Sequence, residues 1–245
     1  MKKNVSGKTS QEIKGELAKC YFGKEARTYD CARVDDPRKV IIFDIQKKIT
    51  KDFLSSAGGS NILDIACGTG RFFPLYSPRE IYGIDVSSEM LSQAKKRTQV
   101  KKLQVADAEN LPFKENIFDI VSTSQFIMHT PYYPKVISEM ARVAKKGGSV
   151  IIDFPNRNSL SGCFFSPRRV KKGSLRHFNL FKFSEIKKIA EKNNLDIAEV
   201  RGTVVFSPRI LPRFLWRFSR WLNKILIKLF PFKAYTLYVH FVKKE

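Results

Sequence analysis

The run Ile62-Leu63-Asp64-Ile65-Ala66-Cys67-Gly68-Thr69-Gly70 decides the architecture of this 245-residue chain. Its first four residues are apolar apart from one acid, the pattern of a strand buried on both faces. Gly68 and Gly70 follow at once, where a strand must turn sharply and hand over to a helix. Glycine there lets the backbone approach a ligand with no Cβ in the way. Strand, glycine turn and helix N-terminus together form a ligand cradle at the carboxyl edge of a parallel sheet.

The residues around the turn narrow the ligand. A dinucleotide fingerprint has a third glycine, and its pyrophosphate rests on the helix N-terminus. Here Phe73 occupies that third position, and Asp64 at the strand end would repel a pyrophosphate. A carboxylate beside a glycine turn suits a ligand with positive charge and no phosphate. S-adenosylmethionine, with its ammonium and sulfonium groups, is such a ligand.

Two more strand-like runs end in acids. Glu80-Ile81-Tyr82-Gly83-Ile84-Asp85 places Asp85 15 residues beyond Gly70, where an acid can accept both ribose hydroxyls. Leu103 to Ala108 carries Asp107, placed to receive an adenine amino group. Ile117 to Thr123 reads as the fourth, central strand. Its end at Ser124-Gln125 should face the methyl donor, where the strand order reverses.

ILDIACGTG, IYGIDVSSEML, VADAENLPF and IFDIVSTSQFIMH, in that order between Asn61 and Phe154, resemble the consecutive cofactor motifs of class I S-adenosylmethionine-dependent methyltransferases. The resemblance implies an α/β fold, Rossmann-like and doubly wound. Its sheet would be mostly parallel and seven-stranded, closed by an antiparallel last strand at Ala234 to Val242. It implies S-adenosyl-L-methionine as cofactor, held by Asp64, Ala66, Gly68, Thr69 and Gly70, by Asp85 and Val86, by Asp107 and Ala108, and by Ser124 and Gln125. Many relatives carry glycine where this chain has Ala66. Ahead of the first strand, Ala26 to Asp30 is similar to an A-x-x-Y-D segment that folds over the cofactor as a flap. Tyr29 would then cover the ligand and Arg33 would reach its carboxylate; the alternative is an ordinary helix packed on the sheet edge.

Length allows one good core with a small cap, and a single domain is expected over residues 1–245. Within it, residues 1–55 hold N-terminal helices and the flap, 56–154 the cofactor-binding core, 155–182 a basic lid and 206–233 a basic insertion. The net charge is +22, and it is lopsided: after Asp153 there are 20 Lys and Arg against 5 Asp and Glu. Something acidic is expected to be met there. Cys20, Cys31, Cys67 and Cys163 show neither C-x-x-C pairing nor metal-ligand spacing, so no metal and a reduced, cytoplasmic setting are expected. Met1 to Ser10 is polar, without the apolar core of a secretory leader. No apolar run approaches the ~20 residues of a spanning helix.

Pro37 opens a helix reaching Phe53, and Ser87 is a plausible N-cap for the helix after Asp85. A helix from Tyr132 to Ala144, a Gly147-Gly148 turn and a fifth strand at Ser149 to Phe154 follow. The lid, with seven basic residues and no acid, stands where this architecture places substrate selection. Ser184-Glu185 caps a helix to Lys192, and Asp196 to Val204 reads as strand six. Read as a helix, Phe206 to Lys233 shows an apolar stripe (Leu211, Phe214, Leu215, Phe218, Trp221, Leu222, Ile225, Leu229). Beside it runs a basic one (Arg213, Arg217, Arg220, Lys224, Lys228). Such a helix can lie in a membrane interface, and would make the protein peripheral at the inner membrane face. It can also cap the active site, make a dimer contact or meet nucleic acid.

Methyl transfer asks the protein to hold the acceptor behind the methyl and exclude water. An oxygen or carbon acceptor also needs a base, for which His129 and, from the lid, His177 are the candidates. The end of strand four, Ser122-Thr123-Ser124-Gln125, lacks the N/D-P-P-Y of enzymes that methylate base amines, and no Pro-Cys nucleophile is present. The residues therefore favour a small-molecule or lipid-like acceptor, hydrophobic or anionic, in a layout similar to the quinone-biosynthesis methyltransferases. An RNA or protein methyltransferase, or a non-catalytic membrane-associated partner, is the alternative. Oligomeric state is not encoded in any motif.

Overall fold

The computed structural model describes residues 9, 12, 15, 26, 28–31, 37–97, 100–160, 179–205 and 216–245. Among them runs one seven-stranded sheet: β1 (Asn61–Ile65), β2 (Glu80–Asp85), β3 (Lys102–Val105), β4 (Phe118–Thr123), β5 (Ala144–Pro155), β6 (Leu195–Gly202) and β7 (Thr236–Lys243). The spatial order is β3-β2-β1-β4-β5-β7-β6. Strands β1 to β5 pair in parallel, and β7 runs antiparallel to both β5 and β6. This is the doubly wound sheet with a reversed last strand that the sequence implied. The order reverses between β1 and β4, the place where such sheets bind ligands beyond their carboxyl ends.

Apolar alternation fills both faces. On one, Leu63, Ile65, Val121, Val150 and Ile152 meet Val136, Ile137 and Met140 of helix α3 (Tyr133–Val143). On the other, Ile62, Ile120, Ile151 and Tyr238 meet Ile49 and Phe53 of helix α1 (Pro37–Ser56). Helix α2 (Ser88–Ala94) is N-capped by Ser87, whose side chain accepts from the Met90 amide. Helix α4 (Phe183–Lys192) begins one residue before Ser184, with Lys182 as its N-cap.

Three expectations are corrected. No helix follows the glycine turn: only a 3-10 turn at Phe73–Leu75 stands between β1 and β2. Pro74 and Pro78, which have no amide donor to give, leave little room for a longer helix. Next, β5 starts at Ala144 instead of Ser149. Phe118 pairs with Ala144 and Ile120 with Ser149, so residues 145–148 bulge out opposite Asp119, with Gly147 at φ +71°. Finally, the insertion is not one helix as far as Lys233. Helix α5 (Trp216–Leu229) ends before a separate 3-10 turn at Pro231–Lys233, because proline cannot continue the ladder. Residues 206–215 lie outside the described residues.

Asp119 ties the amino edge of the sheet together. Its carboxylate accepts from the Ser60 amide (2.8 Å), the Asn61 amide (3.1 Å) and Lys145 Nζ (2.6 Å). Asp119→Ala strands these donors and should cost about 2 kcal/mol of unfolding free energy. A drop in urea midpoint with an unchanged m-value is the expected reading.

Candidate active site

Beyond the reversal point an open cleft is lined by Tyr29, Asp64, Ala66, Cys67, Gly68, Thr69, Arg71, Phe72 and Ser124. Its floor is the loop after β1. Gly68 and Gly70 adopt φ +56° and +69°, and Ala66 takes φ +55°. Ala66 thus occupies the left-handed region that favours glycine, at a cost of roughly 1 kcal/mol. A Cβ on Gly70 would come within 2.6 Å of the buried Phe73 ring, so that position admits only glycine.

Asp64 is the buried acid of the cleft, 2% exposed. Its Oδ2 accepts from Tyr76 Oη at 3.0 Å. Burial pushes its carboxyl up to about 7; the Tyr76 bond opposes this, nearby Asp85 adds to it, and Arg71 opposes it. Asp85 Oδ2 accepts from the Gly68 amide (2.9 Å) and Oδ1 from the Ser87 amide (3.0 Å). It therefore braces the glycine loop against the start of α2. Burial raises its carboxyl above the usual range despite those bonds. Asp107, just past β3, accepts from the Glu109 amide at 2.9 Å, with Ala108 buried behind it. The three acids thus stand at the ends of three adjacent strands. Of these only Asp64 lines the cleft; Asp85, Val86, Asp107 and Ala108 continue along the same edge. Cys67 packs beneath Gly83, where an added Cβ would meet its Sγ at 2.9 Å. Burial pushes its thiol well up, which suits a space-filling role and not a nucleophile.

The N-terminal segment reaches over this floor. Ala26 is buried, and Asp30 accepts from Thr69 Oγ1 at 2.8 Å and from Arg97 Nη2. Arg97 Nε in turn donates to the Thr69 carbonyl at 3.1 Å. Thr69 accordingly anchors the segment that carries Tyr29 to the cleft. Arg33 and His177 lie outside the described residues. Arg71, which the sequence reading passed over, is the cation the cleft does contain. Its guanidinium lies 5.5 Å from the Tyr29 ring centroid and 4.7 Å from that of Phe43, and its side chain is 12% exposed. The available signal was its position directly after Gly70.

At the end of β4, Ser124 lines the cleft and Gln125 turns away at φ +57°. Its amide donates to Asp153 Oδ1 at 2.6 Å and its Nε2 to Gln46 Oε1 at 2.8 Å. His129, half-buried in the 3-10 turn Ile127–His129, does not line the cleft. Asn179 donates its backbone amide to the Met128 carbonyl (2.8 Å) and its Nδ2 to the Thr130 carbonyl (3.2 Å), so it lies against the turn that carries His129. His240 is structural, its Nε2 2.9 Å from Ser149 Oγ inside the sheet. Among the described residues no cluster of His, Cys, Asp or Glu could hold a metal ion.

Residues 63–152 match the family model described as a methyltransferase domain. The phosphatidylethanolamine N-methyltransferase of Cereibacter sphaeroides is 40% identical over 104 residues, 40% of this chain and 51% of that protein. The demethylmenaquinone methyltransferase of Bacillus licheniformis is 35% identical over 128 residues, 48% of this chain and 55% of that protein. The chain spans about half the length of these relatives. Among solved structures, magnesium protoporphyrin IX methyltransferase from Synechocystis PCC 6803 with bound SAH superimposes with TM-score 0.67 at 16% identity, over 94% of this chain and 100% of that one. Fold, motif order and family match together make residues 63–152 a methyltransferase domain of the class I, S-adenosylmethionine-dependent kind. Its central match is to enzymes named for a phospholipid amine and a quinone.

A second buried acid makes the site testable by pH. Asp153 is fully buried and stands opposite the equally buried Tyr238 in the β5–β7 register. Burial pushes its carboxyl up to about 7 against the Gln125 amide bond. A carboxyl raised in the folded state loses stability as pH climbs from its unfolded value near 4 to about 7. Asp153→Asn keeps the acceptor for Gln125 and removes that loss. Urea unfolding should show it roughly 2–4 kcal/mol more stable than wild type at pH 8, with the gap closing towards pH 4.

Proposed function

We propose that the protein transfers the methyl group of S-adenosylmethionine to an oxygen or carbon of a small, hydrophobic or anionic, lipid-like acceptor. The observation that carries this reading is the dry carboxylate of Asp64 in a positive-φ glycine loop at the strand-order reversal. When bound, the cofactor supplies a methyl on a sulfonium, a leaving group that needs no proton. The work left to the chain is placement and exclusion of water. Asp64 answers the positive charge, Arg71 takes the carboxylate, and Tyr29 covers the cleft. Asp85 and Asp107 receive ribose and adenine, and Ser124 faces the acceptor with Gln125 shaping the loop. His129, in the turn bonded by Asn179, is the base for an acceptor that must lose a proton. The absence of a full helix after Gly70 fits a ligand without phosphate, because the loop offers no long helix dipole to an anion.

The acceptor class is supported by the relatives named for phosphatidylethanolamine and demethylmenaquinone. The 40% match to the first favours a headgroup nitrogen as a second reading. Incubating the protein with trideuteromethyl donor and separate lipid, small-molecule, RNA and protein fractions decides the matter by mass spectrometry. Label is expected in an apolar product; label confined to RNA or protein would refute the proposal.

A pH test addresses the cofactor site itself. A cationic ligand favours ionised Asp64, whose proton the free protein retains below about 7, with Tyr76 and Asp85 facing it and Arg71 nearby. Affinity for S-adenosylmethionine should therefore rise by close to tenfold per pH unit on the acid side of pH 7, and level off above it. Calorimetry at pH 5.5, 6.5 and 7.5 is the measurement, and Asp64→Asn should flatten the dependence as it weakens binding.

A further inference from the structure

Apolar side chains are distributed unevenly over the surface. Among the described residues eight large ones are exposed, and six of these fall within α5 and the turn after it: Phe218, Trp221, Ile225, Leu229, Phe230 and Phe232. The first four, spaced by 3, 4 and 4 residues, form one face of the helix, with Trp221 58% and Leu229 64% exposed. That face points away from the protein. Asn223, on the opposite side, is buried and accepts from the Val205 amide at 2.8 Å, and Leu222, Leu226 and Ile227 are half-covered. The apolar stripe read from the sequence is therefore divided: Leu222 turns towards the protein, while Phe218, Trp221, Ile225 and Leu229 turn outward.

Charge accompanies the exposed row. Lys224 and Lys228 are exposed beside it, and Lys233 follows in the turn. No acid occurs between Glu199 and Glu245, a span that holds ten lysines and arginines. A second copy of the chain would bring the same cations against themselves in a two-fold contact, since such an interface joins identical patches. An aromatic-rich helix face flanked by cations matches an anionic bilayer, with acyl chains for the rings and headgroups for the lysines.

The helix is also fixed in place. Asn156, just past β5, donates Nδ2 to the Phe232 carbonyl (2.7 Å) and to the Ala234 carbonyl (3.0 Å). The rings of Phe183 and Phe232 lie 5.1 Å apart. A Cβ on Gly202 would meet Ala234 at 2.3 Å, so the turn packs directly on the end of β6. These ties hold the α5 turn at the carboxyl end of β5, the edge of the sheet on which the cleft opens.

We propose that the outer face of α5 and the Phe230–Phe232 turn dock the protein, lying flat, onto a membrane surface of anionic phospholipid. The surface stands independently of the acceptor that the site methylates. Among the described residues no helix is long and apolar enough to cross a membrane, and docking of this kind needs none.

Vesicle flotation of the full chain tests it, using phosphatidylcholine vesicles with and without phosphatidylglycerol, at low and high salt. Retention on the anionic vesicles is expected to exceed that on neutral ones at least tenfold and to fall with salt. Trp221→Ser with Leu229→Ser, and separately Lys224→Glu with Lys228→Glu, should each reduce it at least tenfold. Both double variants should keep the circular dichroism melt and S-adenosylmethionine affinity of the wild type, which separates loss of docking from loss of fold or of the methyl-donor site. Tryptophan fluorescence should shift to the blue on anionic vesicles and lose most of that shift in Trp221→Phe. The proposal is overturned by absent flotation at low salt or by flotation indifferent to both double variants. It is equally overturned if the apolar variant instead dissolves a dimer seen by sedimentation equilibrium, or if tRNA competes the protein off the vesicles through the same residues.

Discussion

A carboxylate kept out of water towards the end of β1, beside the point where the strand order reverses, is the constraint around which this molecule is arranged. Asp64 lies at the end of β1, 2% exposed, with the Tyr76 hydroxyl bonded to Oδ2. Burying an acid in that way is unfavourable unless it stays protonated or meets a cation. The nearby chain is built to tolerate it until a ligand arrives. Tyr76 is itself buried as part of the apolar cluster beneath the loop, and Asp85 holds the loop from the other side through Gly68 and Ser87. The backbone between them takes three positive φ values within five residues. That bend opens room beside the carboxylate and keeps Cβ atoms away from the cleft.

The cover of the cleft is electrostatic as much as apolar. Asp30 draws Thr69 and Arg97 together, and Arg71 lies among the Tyr29, Phe43 and Phe72 rings. One short segment far ahead of β1 is thereby tied to the loop that follows it. An arginine held against aromatic faces keeps its charge at modest desolvation cost, so it can serve an anionic ligand group and still moderate the two buried acids near it.

Charge and apolar exposure are segregated along the chain in a way that follows the fold. The mostly parallel core up to Asp153 is close to balanced, whereas the later elements carry most of the surplus. Of those elements, β7 and β6 are added at one side of the sheet, and the turn after α5 is tied to the carboxyl end of β5 by Asn156. Loops leaving the carboxyl ends of parallel strands are free to vary without disturbing the core, and that edge is where sheets of this kind bind ligands.

Much of this was legible from residue order alone. Buried runs ending in acids, glycines at fixed distance and a capping serine at position 87 depend on neighbours a few residues away, and local sterics and burial act at that range. The individual strand runs followed from those cues, while the seven-stranded sheet and its reversed last strand were implied by the resemblance to the methyltransferase family. The site was less legible where its parts meet across long separations. Arg71 looked like an ordinary cation after a glycine. The link from Asp30 to Thr69 spans 39 residues, and Asp153 bracing Gln125 joins two strand ends. The outward turn of Trp221 and Leu229 depends on Asn223 finding Val205. Helical periodicity identifies a stripe but not which side packs inward, since the choice belongs to whatever surface the helix is folded against. Local spacing, through the motif order it shares with the methyltransferase family, thus determined the fold and the class of ligand, and only the packed tertiary structure decided which side chains share a cleft and which face the solvent.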